Sequence, residues 1–211
     1  MGGGIQAGLD LWHRLRLERA PLREYRSMLW LIRHGETAWS LSGAHTGRTD
    51  LPLTAAGEES ARAIGRELAG HHFALVLTSP MQRAVRTCEL AGYGDQAQVD
   101  PNLMEWDYGE YEGKTTAQIQ AVHPGWFLFR DGVEGGETIG QVAARALDVI
   151  DRAQRVDGDV AMFAHGHILR ILTACWLGLP PEDGKMFVLG TGAISTLGHE
   201  HEAHAIMRWN A

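Results

Sequence analysis

Cysteine is scarce: the chain of 211 residues holds two, Cys88 and Cys175, far apart and each in a helix-like apolar setting. This excludes a disulfide framework and any CxxC redox or zinc motif, and it fits a reducing, cytoplasmic setting. Long apolar runs are also missing. No window reaches the ~18 consecutive apolar residues of a membrane span, and the N-terminus lacks the apolar stretch of a secretory signal. Nor is there an excess of positive charge: 19 Lys and Arg against 26 Asp and Glu give a formal net charge of -7. Neither a nucleic acid nor an anionic membrane is expected as a partner, because both need a basic face. What remains is an ordinary globular composition, 45% hydrophobic and 21% charged, sufficient for one domain with one substantial core.

Residues 1–27 stand apart, with Trp12, Leu15 and Leu17 set among Arg14, Arg16, Arg19, Arg23 and Arg26. They read either as a dispensable extension, with Met28 the true start, or as an amphipathic docking helix. From Met28 to Ala211, strand-like and helix-like segments alternate. Met28 to Arg33, Phe73 to Thr78 and Val160 to Ala164 read as buried strands. Glu58 to Ala69, Met81 to Ala91, Thr138 to Arg155 and Ile168 to Leu177 read as helices, and Ala193 to Leu197 and Ala203 to Arg208 as closing strands. Continuous apolar strands separated by helices imply a three-layer αβα domain with a mostly parallel central sheet.

In such sheets ligands bind beyond the carboxyl ends of the strands. Three strands here end in Arg33-His34-Gly35, in Ser79-Pro80 followed by Arg83, and in His165-Gly166-His167. Two histidines and two arginines are therefore aimed at one sheet edge. Two guanidinium groups can offset the charge of a phosphomonoester, about -1.5 to -2, and helix starts after His34 and His165 would add backbone N–H groups. A neutral histidine in that pocket can attack phosphorus, while the second histidine steadies the transferring group. The leaving oxygen needs a proton from a carboxylic acid at the rim. The segment NLMEWDYGEYEG supplies Glu105, Asp107, Glu110 and Glu112; Glu105, between Met104 and Trp106, is the one placed for partial desolvation, with Asp107 as its rival.

The segments LIRHGETAWS, SPMQRAVRT, LMEWDYGEYEG and FAHGHILR together resemble the four signature segments of the histidine phosphatase superfamily, the phosphoglycerate-mutase-like fold. The resemblance runs from Met28 to the C-terminus. It implies that His34 is the phosphohistidine nucleophile, that Arg33, Arg83 and His165 complete the phosphate pocket, and that Glu105 is the proton donor. It also implies chemistry with no metal and no cofactor, and an approach of Thr46 and Gly47 to the substrate. The stretches SGAHTGRTDLPLT and FRDGVEGGET are similar to the sugar-bisphosphatase and acid-phosphatase branch, so the expected partner is a small phosphorylated metabolite, a sugar phosphate or bisphosphate. A homodimer is compatible with the sequence.

Two departures bear on the branch. Mutases of the family usually carry asparagine where Ser40 stands, along with a long basic insertion, and this chain has neither. Sugar bisphosphatases often place arginine where this chain has Met104, so a second phosphate would have to meet Arg170 or Arg48. Other readings are a phosphoglycerate mutase, a phosphoprotein phosphatase, a non-catalytic phospho-ligand module, and a metal-dependent hydrolase using His165 and His167 or the histidine-rich tail Gly198 to His204. The tail reads more simply as a solvated turn between two edge strands.

Overall fold

The computed structural model describes residues 27–211; the N-terminal extension read from the sequence lies outside the described residues apart from Ser27. The strands are β1 (Leu29–Arg33), β2 (Leu75–Thr78), β3 (Ala97–Val99), β4 (Val160–Ala164), β5 (Ile194–Glu200) and β6 (Ala203–Arg208). They form one sheet in the order β3-β2-β4-β1-β5-β6. The first four in that order are parallel, and β5 and β6 close the sheet antiparallel. The helices are α1 (Ala38–Ser42), α2 (Ala55–Glu67), α3 (Gln82–Leu90), α4 (Thr116–Val122), α5 (Leu128–Asp131), α6 (Ile139–Gln154) and α7 (Gly166–Trp176).

The strand alternation of two sorts the core onto two faces. Leu29, Leu31, Val160, Met162 and Ala164 pack with residues of α6 and α7, including Val142, Val149, Ile168 and Leu172. Ile32, Val76, Ala161 and Phe163 point the other way, toward Ile64 of α2, Leu68 just past its end and Cys88 of α3. Both faces are covered, which is why β4 can be apolar at every position and buried throughout. Helix α6 starts at a capping box, in which Thr138 accepts from the Gln141 amide and Gln141 returns the bond to the Thr138 amide. Its buried Val142, Ala143, Ala146, Val149, Ile150 and Ala153 form one stripe.

The structure corrects the reading of the tail. β5 lies between β1 and β6, not at an edge, and continues to Glu200. His199 and His204 are cross-strand partners, and the His204 ring stacks on Trp176 at 4.1 Å. The turn is reduced to His201 and Glu202. Among the described residues, no helix is long and apolar enough to cross a membrane. For the site, the decisive feature is that β2, β4 and β1 are adjacent and parallel. His34 and Ser79 continue the ladders past the strand ends, their amides donating to the carbonyls of Ala164 and Phe163 at 3.0 and 2.9 Å.

Candidate active site

His34 follows β1 and is 4% exposed. Its Nδ1 lies 2.7 Å from its neighbour's carbonyl, Gly35 O, a group that can only accept. Nδ1 therefore carries the proton of the neutral ring, and the Nε2 lone pair is free. Burial, then the charges of Arg33 and Arg83, hold the His34 pKa well below the ordinary imidazole range. The turn that sets this geometry requires glycine. A Cβ on Gly35 would lie 2.3 Å from the carbonyl oxygen of Gly57 at the start of α2, so the two backbones touch directly. The Gly35 amide donates to Thr87 Oγ1 of α3 at 3.1 Å, which ties the turn to the helix bearing Arg83.

Arg33 donates from Nη1 to Leu189 O at 2.5 Å, and its Nε is buried with no hydrogen-bond partner among the described residues. A buried N–H of this kind is costly unless an anion meets it. Arg83 is wholly buried and held on every side. Its Nε donates to His165 Nδ1 at 3.1 Å, Nη1 to Thr49 O at 2.9 Å, and Nη2 to Thr46 O and Gly47 O at 3.2 and 2.9 Å. Thr46 and Gly47 thus stand beside the pocket as the loop that clamps Arg83. Glu112 fixes that loop by accepting from the amides of Gly47 and Thr49 at 2.9 Å each. A Cβ on Gly47 would lie 2.4 Å from Trp106 O, so this approach also requires glycine.

His165 caps α7 and is fully buried, its ring centroid 5.1 Å from that of His34. Burial, followed by Arg83 and His34, depresses its pKa well below the ordinary value. The first turn of α7 does not present all its amides to the pocket, as the sequence suggested. The amides of His167 and Ile168 donate to Glu105 Oε2 and Oε1 at 3.0 and 2.9 Å, and the Trp106 amide donates to Oε1 at 3.0 Å. Glu105 is 5% exposed and close enough to act electrostatically on Arg33, Arg83 and Arg170. Its rival Asp107 instead caps the Gly109 amide and meets Arg48 at 3.4 Å.

The rim next to Glu105 is aromatic. Tyr108 Oη sits 2.6 Å from His167 Nδ1, with Phe129 and His45 around the same imidazole. Burial pushes the Tyr108 phenol well above its ordinary pKa, so it is a neutral donor. Burial, then Arg170, holds the His167 pKa well below the ordinary value. Arg170 lies over the Phe129 ring at 4.7 Å and donates from Nε and Nη2 to the carbonyls of Gly184 and Lys185. Arg48 is more exposed, its Nη1 2.8 Å from Met104 Sδ.

Sequence reasoning missed the support of the Glu105 loop. Arg145 of α6 forks onto Glu137 with two 2.8 Å contacts and donates from Nη1 to the carbonyls of Asn102 and Met104. The available signal was an arginine adjoining the apolar stripe of α6. Glu112 left no signal of its own, because a carboxylate that binds backbone amides of a distant loop has no spacing to betray it.

A family model described as the histidine phosphatase superfamily (branch 1) matches residues 29–211. An acid phosphatase of Mycobacterium tuberculosis is 39% identical over 177 residues, covering 82% of this chain and 87% of that one. A sedoheptulose 1,7-bisphosphatase of Saccharomyces cerevisiae is 36% identical over 181 residues, covering 71% and 67%. The solved structure of an open reading frame product of M. tuberculosis superposes with a TM-score of 0.84 at 36% identity, covering 88% of this chain and 97% of that one. A mycobacterial glucosyl-3-phosphoglycerate phosphatase solved with VO3 gives a TM-score of 0.78 at 28% identity, covering 88% and 99%. With two histidines and two arginines gathered at the sheet edge, and a family match spanning nearly every described residue, the chain belongs to the histidine phosphatase superfamily and is a phosphatase of that type.

Proposed function

We propose that this phosphatase hydrolyses small phosphate monoesters, sugar phosphates or sugar bisphosphates, through a phosphohistidine on His34 and without a metal. The observation that carries the reading is the His34 tautomer: with the Nδ1 proton engaged at Gly35 O, the Nε2 lone pair is available to attack phosphorus. Nε2 forms the N–P bond as the ester P–O bond breaks, and the departing oxygen takes a proton from the Glu105 carboxyl group. Water then attacks phosphorus and gives a proton to the Glu105 carboxylate, and the N–P bond breaks to release phosphate. Arg33, through its unpaired buried Nε, and Arg83 balance the charge on the phosphoryl oxygens. Thr46 and Gly47 contribute through the orientation of Arg83.

The substrate class is supported by the relatives' names, an acid phosphatase, a sedoheptulose 1,7-bisphosphatase and a glucosyl-3-phosphoglycerate phosphatase. Arg170 and Arg48, on the Glu105 side, are the cations available to a second phosphate. The test is phosphate release from sugar monophosphates, sugar bisphosphates and phosphoglycerates in EDTA, with His34→Ala beside the wild type. We expect release that survives EDTA and falls at least ~10³-fold in the variant. Interconversion of phosphoglycerates without release, or loss of activity in EDTA, would overturn the reading.

A further inference from the structure

The guanidinium of Arg33 has one fixed corner and one open one. Its Nη1 donates to Leu189 O at 2.5 Å, while its Nε is buried with no partner among the described residues. Gly166, the first residue of α7, closes one face of the group: a Cβ there would lie 3.3 Å from Arg33 Cζ and 3.4 Å from Nε. An arginine side chain is long and rich in rotamers, so a contact that fixes it before a ligand arrives lowers the cost of binding. The Leu189 carbonyl is such a contact, and what holds that carbonyl then matters.

Leu189 lies in residues 187–193, a strap that runs past the end of β1 into β5. Backbone bonds join the far end of the strap to β1: Arg33 N donates to Ala193 O at 3.1 Å, and Gly192 N to His34 O at 3.0 Å. Leu189 itself is bracketed by two consecutive side chains from just past β6. Trp209 Nε1 donates to Val188 O at 2.6 Å, and Asn210 Oδ1 accepts from Gly190 N at 2.6 Å. The residue before Leu189 and the residue after it are therefore each tied down. Both tethers have firm footings. The Trp209 ring packs against the core and meets Phe187 edge-on at 5.6 Å. Asn210 donates its own amide to Ser195 Oγ at 2.9 Å, and the next residue, Ala211, pairs with Ile194 in both directions. Asn210 also stands at φ 53, a left-handed conformation that asparagine tolerates better than most residues.

We propose that Trp209 and Asn210 are positioning residues of the phosphate pocket, which together set the Leu189 carbonyl that anchors Arg33 and so present Arg33 Nε to a phosphoryl oxygen. They act through Arg33 and not on the substrate, so their effect rests on the phosphate-binding role given to Arg33 above.

The test uses the full chain with orthovanadate as the probe, and variants that remove the tethers while keeping their packing. Trp209→Phe retains an aromatic ring without the donor, and Asn210→Gly retains the left-handed backbone without the acceptor. The double variant, shown to be folded by urea unfolding, should bind orthovanadate about 5- to 20-fold more weakly, part of what a charge-assisted bond contributes. kcat/KM should fall by a similar factor on p-nitrophenyl phosphate and on a sugar phosphate, because Arg33 meets the transferring group and not the leaving group. Asn210→Asp, which keeps an acceptor for Gly190 N, should bind orthovanadate like the wild type. If the double variant does not fold, Asn210→Gly alone, with an expected loss of about 3-fold, takes its place. Arg33→Ala supplies the second arm of a double-mutant cycle: it should cost at least ~10²-fold in orthovanadate affinity, and in that background the tether changes should cost nothing further. A merely structural role would lower affinity equally in both backgrounds. That equal loss, or tether variants that bind like the wild type while Arg33→Ala binds weakly, would overturn the proposal and leave Arg33 in the pocket. Wild-type affinity in Arg33→Ala would remove the phosphate role of Arg33, and the proposal with it.

Discussion

Acid should unfold this protein through three buried histidines. His34, His165 and His167 are buried, and their surroundings hold all three well below the ordinary imidazole pKa, so the folded state keeps them neutral. In the unfolded chain each titrates near ~6.5. Below that pH the unfolded state binds protons that the folded state refuses, so stability is complete above ~6.5 and is lost as pH falls. At pH 5.5 each histidine costs on the order of 1 kcal/mol, and the three together a few kcal/mol, a large share of the 5–15 kcal/mol typical of a domain. Urea unfolding at pH 7.5 and 5.5 measures the difference directly. His167→Gln, which removes one of the three, should recover on the order of 1 kcal/mol of the loss. Equal stability at the two pH values would show that these rings take up protons in the folded protein, and would remove the argument for a neutral nucleophile.

Two other perturbations probe the proposed acid and its support. Glu105→Gln should slow sugar phosphates by roughly 10²- to 10⁴-fold but p-nitrophenyl phosphate far less, because that leaving group needs little protonation; steady-state rates on both esters decide it, and equal losses would count against the acid role. Arg145→Ala removes the fork that joins Glu137 to the Asn102 and Met104 carbonyls. It should cost about 2–4 kcal/mol in urea unfolding and lower kcat on sugar phosphates more than on p-nitrophenyl phosphate; an even loss on the two esters would show that the loop, and not Glu105 alone, had been disturbed.

The sequence by itself determined the layers and the edge. The apolar runs at Leu29, Leu75 and Val160 are strands because only a sheet covered on both faces tolerates such runs, and the residues just past each run stand at one edge because the strands are parallel. β3 was not legible: Ala97–Val99 is short, lies at the sheet edge and is mostly exposed, so it has neither an apolar run nor an alternation to read. The placement of β5 inside the sheet was also hidden, since neighbours in a sheet are chosen by packing and not by order in the chain. Only the tertiary structure decided the protons. Gly35 O sets the His34 tautomer, Arg83 Nε meets His165 Nδ1, and Glu105 takes the α7 amides that a reading of the helix alone assigned to the substrate. Each of these is a choice between donors and acceptors distant in sequence, made by distances of about 3 Å that no local pattern encodes.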